Sequence, residues 1–159
     1  MEHYKAIIFS LFCFLFFSCD WKSNNVEENF YSYSRKGDLY RIPIIKPYEI
    51  NSADNGFTWI MDFKGNNPPS LLGTGAIDSI GVKESYFVLF NKRADLRTGM
   101  TKAWFLVDAL AKDEKVFTTE EEYKNYLETK KLGHIKMYKI TDVFKEFDTN
   151  KKLPQEWPR

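Results

Sequence analysis

Cys19 is the residue of this chain whose chemistry is best defined by its position. It follows a short charged start, an apolar stretch of twelve residues at 6–17 and the small Ser18, which is the order of segments in a cleaved secretory leader. As a helix, such a stretch rises only about 18 Å, well short of the roughly 30 Å hydrocarbon core of a membrane. The sequence therefore predicts a signal peptide over residues 1–18 and a mature chain that begins at Cys19.

Lipidation explains why a single thiol lies at this position. Cys13 is inside the apolar stretch, so Cys19 is the only cysteine of the predicted mature chain, and an unpaired thiol in an oxidising compartment is a liability. The sequence Leu-Phe-Phe-Ser-Cys at residues 15–19 resembles the bacterial lipobox, with Phe16 in place of the usual leucine. We therefore expect an acylated Cys19 that anchors the protein to a membrane of the bacterial cell envelope, with membrane and face left open. The alternative is an ordinary leader followed by a buried thiol.

Catalytic and metal-binding residue sets are sparse in the remainder of the chain. His134 is the only histidine after the leader, so neither a thiol–imidazole pair nor a His/Cys zinc cluster can form, and we predict no cofactor and no metal site. Asp62, Asp78 and Asp108 could converge as the paired carboxylates of a hydrolase, since acids at strand ends can meet in space. Exposed strand-end acids are the simpler interpretation, so we predict no catalytic residue and no enzymatic activity.

A long basic connection separates two apolar segments. Residues 91–102 hold four basic residues and one acidic residue, a net charge of +3, together with Leu96 and Met100. A connection of this length exceeds what a hairpin needs, and long ordered loops are disproportionately functional. Its charge suits an acidic protein partner or anionic headgroups, and the alternative is an elongated, solvated hairpin. The candidate partner-binding residues are Lys92, Arg93, Arg97 and Lys102.

Composition indicates one folded domain behind a short polar segment. The formal net charge of +1 gives no electrostatic footprint for nucleic acid. The chain has 27 aromatic residues, of which 21 follow the leader, and so high a share is untypical of disordered chains. We expect residues 19–33 to carry the lipidated cysteine and a tether, and residues 34–159 to form a single monomeric domain.

The order of elements predicted for this domain is strands first and helices later. Residues 40–50 have strand composition but contain two prolines, which favours the edge of a sheet, and residues 57–63 predict the next strand. A further strand is predicted over residues 76–83. Continuous apolar runs at 86–90 and 103–108 then predict central strands that are covered on both faces.

The principal helix is predicted over about residues 119–132. Thr118 and Thr119 each precede a glutamate by three residues in capping-box spacing, and Gly133 supplies the left-handed position at the end. A short last strand and a short C-terminal helix follow. The predicted fold is α+β, an antiparallel sheet of about five or six strands packed by two helices. The residues expected to face the core from the two helices are Tyr123, Tyr126, Leu127, Val143, Phe144 and Phe147.

Residues 76–132 resemble a widespread group of small, functionally uncharacterised bacterial lipoproteins. The resemblance rests on an Ile-Gly strand at residues 77–82, two aromatic-rich strands at 86–89 and 104–108, and a helix opened by a Phe-Thr-x-x-Glu-type cap at 117–121. These motifs imply a fold and no catalytic residues. We therefore expect a non-enzymatic binding module of the cell envelope, with an immunity-type protein that blocks a toxin as its more specific version and an envelope hydrolase as the competing class.

Overall fold

Strands dominate the part of the chain that can be described. The computed structural model describes residues 30–61, 76–96 and 99–158, so Cys19 and the predicted leader lie outside the described residues. The chain divides into two units, residues 1–32 and 33–159, and the account below concerns the second. Its described residues form two antiparallel sheets and two helices, which confirms the predicted α+β class.

The elements occur in the predicted order of strands followed by helices. The three strands of the smaller sheet are β1 (Arg35–Lys36), β2 (Leu39–Ile45) and β3 (Tyr48–Ser52). The five strands of the larger sheet are β4 (Ser79–Lys83), β5 (Tyr86–Leu96), β6 (Gly99–Asp108), β7 (Asp113–Phe117) and β8 (Tyr138–Lys139). The helices are α1 (Glu120–Thr129) and α2 (Ile140–Asn150).

The larger sheet has the strand order β7-β6-β5-β4-β8, which places β5 and β6 at its centre. Successive residues of a strand point to opposite faces, and Phe87, Val88 and Leu89 of β5 are all buried. In β6, Phe105 and Leu106 are likewise buried in succession. The prediction of central strands covered on both faces is therefore confirmed.

Helix α1 covers one face of the larger sheet. Tyr123 and Leu127 of α1 pack into one buried cluster with Val88 and Leu106. The helix begins where the capping box predicts, because the Thr119 hydroxyl accepts a hydrogen bond of 3.3 Å from the Glu122 amide. It ends at Thr129, earlier than predicted, and the left-handed residue just after its C-cap is Lys131, with a φ of +56°, rather than Gly133.

The smaller sheet and α2 lie on the other face. The ring centroids of Tyr48 in β3 and Phe87 in β5 are 5.1 Å apart. One face of the smaller sheet therefore packs against the larger sheet. Phe144 of α2 packs on Tyr40 and Trp59, at centroid distances of 5.0 and 4.8 Å. None of the described helices is long and apolar enough to cross a membrane.

Two strand predictions near the start of the domain are wrong. Residues 40–50 form a hairpin of two strands, β2 and β3, turned at the cis peptide Lys46–Pro47. Pro43 lies in the middle strand of the smaller sheet, but β1 pairs only with Leu39 and Tyr40, so among the described residues no strand on that side needs the amide hydrogen that Pro43 lacks.

Residues 57–61, the described part of the strand predicted over 57–63, follow an organised turn and form no strand. The Asp54 carboxylate accepts hydrogen bonds from the Thr58 amide at 2.7 Å and the Ser52 hydroxyl at 2.8 Å. Within the described part of this segment, a single isolated antiparallel bridge joins Ile60 to Asn51. These local hydrogen bonds to side chains stabilise a turn in place of the strand that the residue types favour.

Gly81 in β4 permits a close crossing by the chain that follows α1. A Cβ at this position would lie 2.6 Å from the Lys136 carbonyl oxygen and 2.8 Å from both Ile135 Cγ2 and Met137 Sδ. No real Cβ makes contacts this short, so only glycine lets residues 135–137 pass directly over the strand. The need for Gly81 is steric, since its φ is not in the left-handed region.

Candidate functional site

Strands β5 and β6 continue well past their neighbours. Strand β4 pairs with β5 only as far as Phe90, and β7 pairs with β6 only from Trp104 onward. Residues 91–96 and 99–103 still pair with each other, and we call this two-stranded extension the arm. The predicted twelve-residue loop over 91–102 is therefore wrong, because most of it is strand. Positions 97 and 98 at the tip lie outside the described residues.

A β-bulge at the base of the arm explains why the strand pattern was not recognised. The pairing register shifts between Asn91 and Ala94, so the extra residue breaks the alternation of apolar and polar side chains. The Asp78 carboxylate holds the bulge, since it accepts the Lys92 amide at 2.7 Å and lies 3.1 Å from the Lys92 ammonium. The Asn91 side chain accepts the Arg93 amide at 2.7 Å.

The four candidate partner-binding residues lie in different environments. Arg93 and Lys102 are exposed on the arm, Lys92 is exposed but paired with Asp78, and Arg97 lies outside the described residues. The opposite side of the arm carries buried apolar side chains, those of Ala94 and Leu96. The solvent-facing side of the arm therefore carries Arg93, Lys102 and the exposed Met100 together with one acid, Asp95, and is basic on balance; we call it the basic side.

The two described carboxylates of the hydrolase alternative, Asp78 and Asp108, do not come together. Asp108 closes the turn after β6, where it accepts the amides of Leu110 and Ala111 at 3.1 and 3.0 Å. Its hydrogen bond from the Tyr86 hydroxyl raises the pKa of Tyr86 to about 12. Asp78 and Asp108 lie about five residues apart along the β5 register, roughly 17 Å at the rise of a strand. Both acids thus support turns or bulges, and Asp62 lies outside the described residues.

Replacing Asp78 with alanine is expected to loosen the arm. The Lys92 amide would lose its charged acceptor, which should destabilise the domain by about 1–2 kcal/mol. Urea denaturation measures the stability, and hydrogen exchange should quicken at the Lys92 and Arg93 amides. Asp95→Ala is the matched control, since Asp95 is an exposed acid on the same arm. Equal effects of the two substitutions would contradict a role for Asp78 at the bulge.

A groove between α1 and the chain that follows it forms a second candidate site. Its volume is about 380 Å³ and most of its lining is apolar. We call it the α1 groove. It is lined by Trp104, Glu120, Tyr123, Lys124, Leu127, Glu128, Gly133, His134, Ile135 and Met137.

No protein-family model, curated protein or solved structure matches the chain. Within residues 30–61, 76–96 and 99–158, no group of three or more histidine, cysteine or acidic side chains could hold a metal ion. The features that bear on function are therefore the arm, the α1 groove and the predicted leader.

Sequence reasoning did not find the α1 groove. The sequence predicts Trp104 in a continuous apolar strand and Tyr123 on the core-facing side of a helix, and the structure confirms both positions. The ring planes of Trp104 and Tyr123 are nearly parallel, 11° apart, with centroids separated by 6.0 Å. The groove arises because residues 133–137 return beside this stacked pair, and such a return leaves no local pattern in the sequence.

Proposed function

We propose that the protein is a lipid-anchored lipoprotein of the bacterial cell envelope that binds an acidic partner protein, without catalysis, through the basic side of the arm. The arm is the observation that carries the binding part of this proposal. It extends beyond the strands on either side and presents Arg93 and Lys102 to solvent. The anchor rests on Cys19 and on the segments that precede it.

The composition of the arm suits an interface. Exposed charges such as those of Arg93 and Lys102 contribute little to the free energy of folding. Their positive charge can therefore attract an acidic partner. The exposed Met100 lies beside them, and methionine and arginine are enriched at protein interfaces. Strand pairing along the arm and the contacts of Asp78 with Lys92 fix the backbone that carries these side chains, which lowers the entropy lost on association.

An immunity-type role is the specific version of this proposal. A protein anchored through its first mature residue is held at the membrane surface, where it can meet a toxin that arrives there. Complementary charge speeds such an encounter. Under this version the acidic partner is a toxin domain, and coexpression of the protein would protect a cell that is challenged with it.

Charge reversal on the arm tests the proposed contact. The double variant Arg93→Glu, Lys102→Glu should weaken capture of an acidic partner from envelope extract by about tenfold, since each reversal replaces an attraction by a repulsion. Capture by the wild type should also fall between about 50 and 300 mM salt because of screening.

The matched control reverses two exposed lysines away from the arm, Lys145→Glu and Lys152→Glu. It changes the net charge by the same amount and should leave capture unchanged. If both double variants lose the partner to the same extent, net charge and not the arm determines binding. If neither does, the arm is not the contact surface.

A further inference from the structure

The α1 groove has the size and lining of a site for a small molecule. Its volume of about 380 Å³ lies within the range of about 300–1,000 Å³ typical of ligand sites, which are mostly apolar with a few polar groups. Trp104, Leu127 and Met137 supply apolar and aromatic lining. The groove is formed by α1, β6 and residues 133–137, so it does not depend on the arm or on the proposed protein contact.

A hydrogen-bonding group in the wall of the groove is unused. Tyr123 is only 6% exposed, and its hydroxyl has no hydrogen-bond partner among the described residues. Burial raises the pKa of Tyr123 to about 12, so the hydroxyl stays protonated and can both donate and accept. A buried polar group without a partner costs free energy, and here the Tyr123 side chain lines the groove while its hydroxyl is itself buried.

The charges at the rim of the groove select the sign of a ligand. The Lys124 ammonium is 2.7 Å from the Glu120 carboxylate, and that hydrogen bond and charge lower the pKa of Glu120. Glu128 is exposed, and no ion pair to it is formed within the described part of the chain. Of the two carboxylates that line the groove, that of Glu120 is paired with Lys124 and also feels the charge of Lys102, so the Glu128 carboxylate is the one left to attract a cationic ligand.

We propose that the α1 groove binds a small apolar amine, with its ring or alkyl body against Trp104 and Met137 and its ammonium group at Glu128. Aromatic rings attract cations through the negative faces of their π-systems, so Trp104 adds to the carboxylate. The apolar body provides most of the affinity through burial, and the charge provides selectivity.

Three probes with the same ring and different charges test this proposal. They are tryptamine, a cation; indole, which is neutral; and indole-3-acetate, an anion. Each is titrated into the full-length protein and followed by two-dimensional NMR, at the indole N–H of Trp104 and the amides of Gly133 and His134. We expect tryptamine to bind about fivefold more tightly than indole, as one exposed cation–π or ion-pair contact would give. Indole-3-acetate should bind most weakly.

Two conservative variants separate the charge from the hydroxyl. Glu128→Gln should abolish the preference for tryptamine over indole and leave indole binding intact, and Glu146→Gln on α2 is the matched control that should keep the preference. Tyr123→Phe removes only the buried hydroxyl, so the protein should fold and keep its preference for tryptamine over indole.

Several outcomes would overturn the proposal. Equal affinity for the three probes, tightest binding of indole-3-acetate, or a preference that survives Glu128→Gln would each remove the amine selectivity. Shifts confined to residues outside the groove would remove the site itself. The single arm variant Arg93→Glu, which keeps the Lys102 charge that acts on Glu120, should bind tryptamine as the wild type does, so failure of the partner-binding proposal and failure of this one can be told apart.

Discussion

Replacing Cys19 with alanine is expected to abolish incorporation of labelled fatty acid and to move the protein out of the membrane fraction. In the predicted mature chain this thiol is the only acyl acceptor. Each buried methylene contributes about 0.8 kcal/mol, and one chain binds only marginally, so two or three chains are needed for a durable anchor. The variant should therefore appear as a soluble protein or as an uncleaved precursor.

Cys13→Ala is the control for this experiment. It removes the other cysteine, which lies inside the apolar stretch, and it should leave both labelling and membrane fractionation unchanged. Equal labelling of Cys19→Ala and wild type would refute lipidation at Cys19, and loss of labelling in both variants would point to a leader that is no longer processed.

The second large effect is expected for Gly81→Ala, which should destabilise the domain by about 3 kcal/mol. The added methyl group would meet the Lys136 carbonyl oxygen at 2.6 Å, and a backbone atom cannot rotate away as a side chain can. For a domain of this size the loss corresponds to a fall of about 10 °C in Tm. Thermal melts measure it directly.

Gly37→Ala separates steric cost from backbone cost. Gly37 has a φ of +62° and nothing within 4 Å of an added Cβ, so its replacement should cost only the roughly 1–2 kcal/mol of a left-handed backbone. If Gly81→Ala melts no lower than Gly37→Ala, residues 135–137 can move aside and the crossing is not tightly packed. Because Ile135 and Met137 also line the α1 groove, Gly81→Ala should alter tryptamine binding as well.

The sequence predicts best the elements whose signals are local and agree with one another. Strands β5 and β6 are long apolar runs flanked by turn residues, and α1 combines a capping threonine, a periodic apolar face and a glycine after its end. Both tyrosines of α1 were predicted to face the core, but Tyr123 is buried and stacks on Trp104, whereas Tyr126 is only half-buried and packs on Phe117. A one-turn difference on a helix face is beyond what periodicity resolves.

The features that were missed depend on geometry between distant segments. Pro43 and Pro47 both favour the edge of a sheet by their residue type. In the structure, Pro43 lies in the middle strand beside the short β1, and Pro47 lies in the turn between β2 and β3. The sequence predicts a loop where the arm lies, because the bulge interrupts the alternation of apolar and polar side chains that identifies a strand. The α1 groove needs residues from β6, α1 and the chain after it, so no single window of sequence contains its signal.

The strand order of the larger sheet also has a consequence for folding. Strands β4 to β7 form a meander in which each strand pairs with the next along the chain, so these contacts are of low contact order and should form the early folding nucleus. Strand β8, in contrast, joins β4 by only two residue pairs, Ser79 with Lys139 and Ile80 with Tyr138. This edge should be the last part to assemble and the first to open by local unfolding. The wall of the α1 groove formed by residues 133–137 leads into this strand, so a ligand could enter by a local opening that leaves the meander intact.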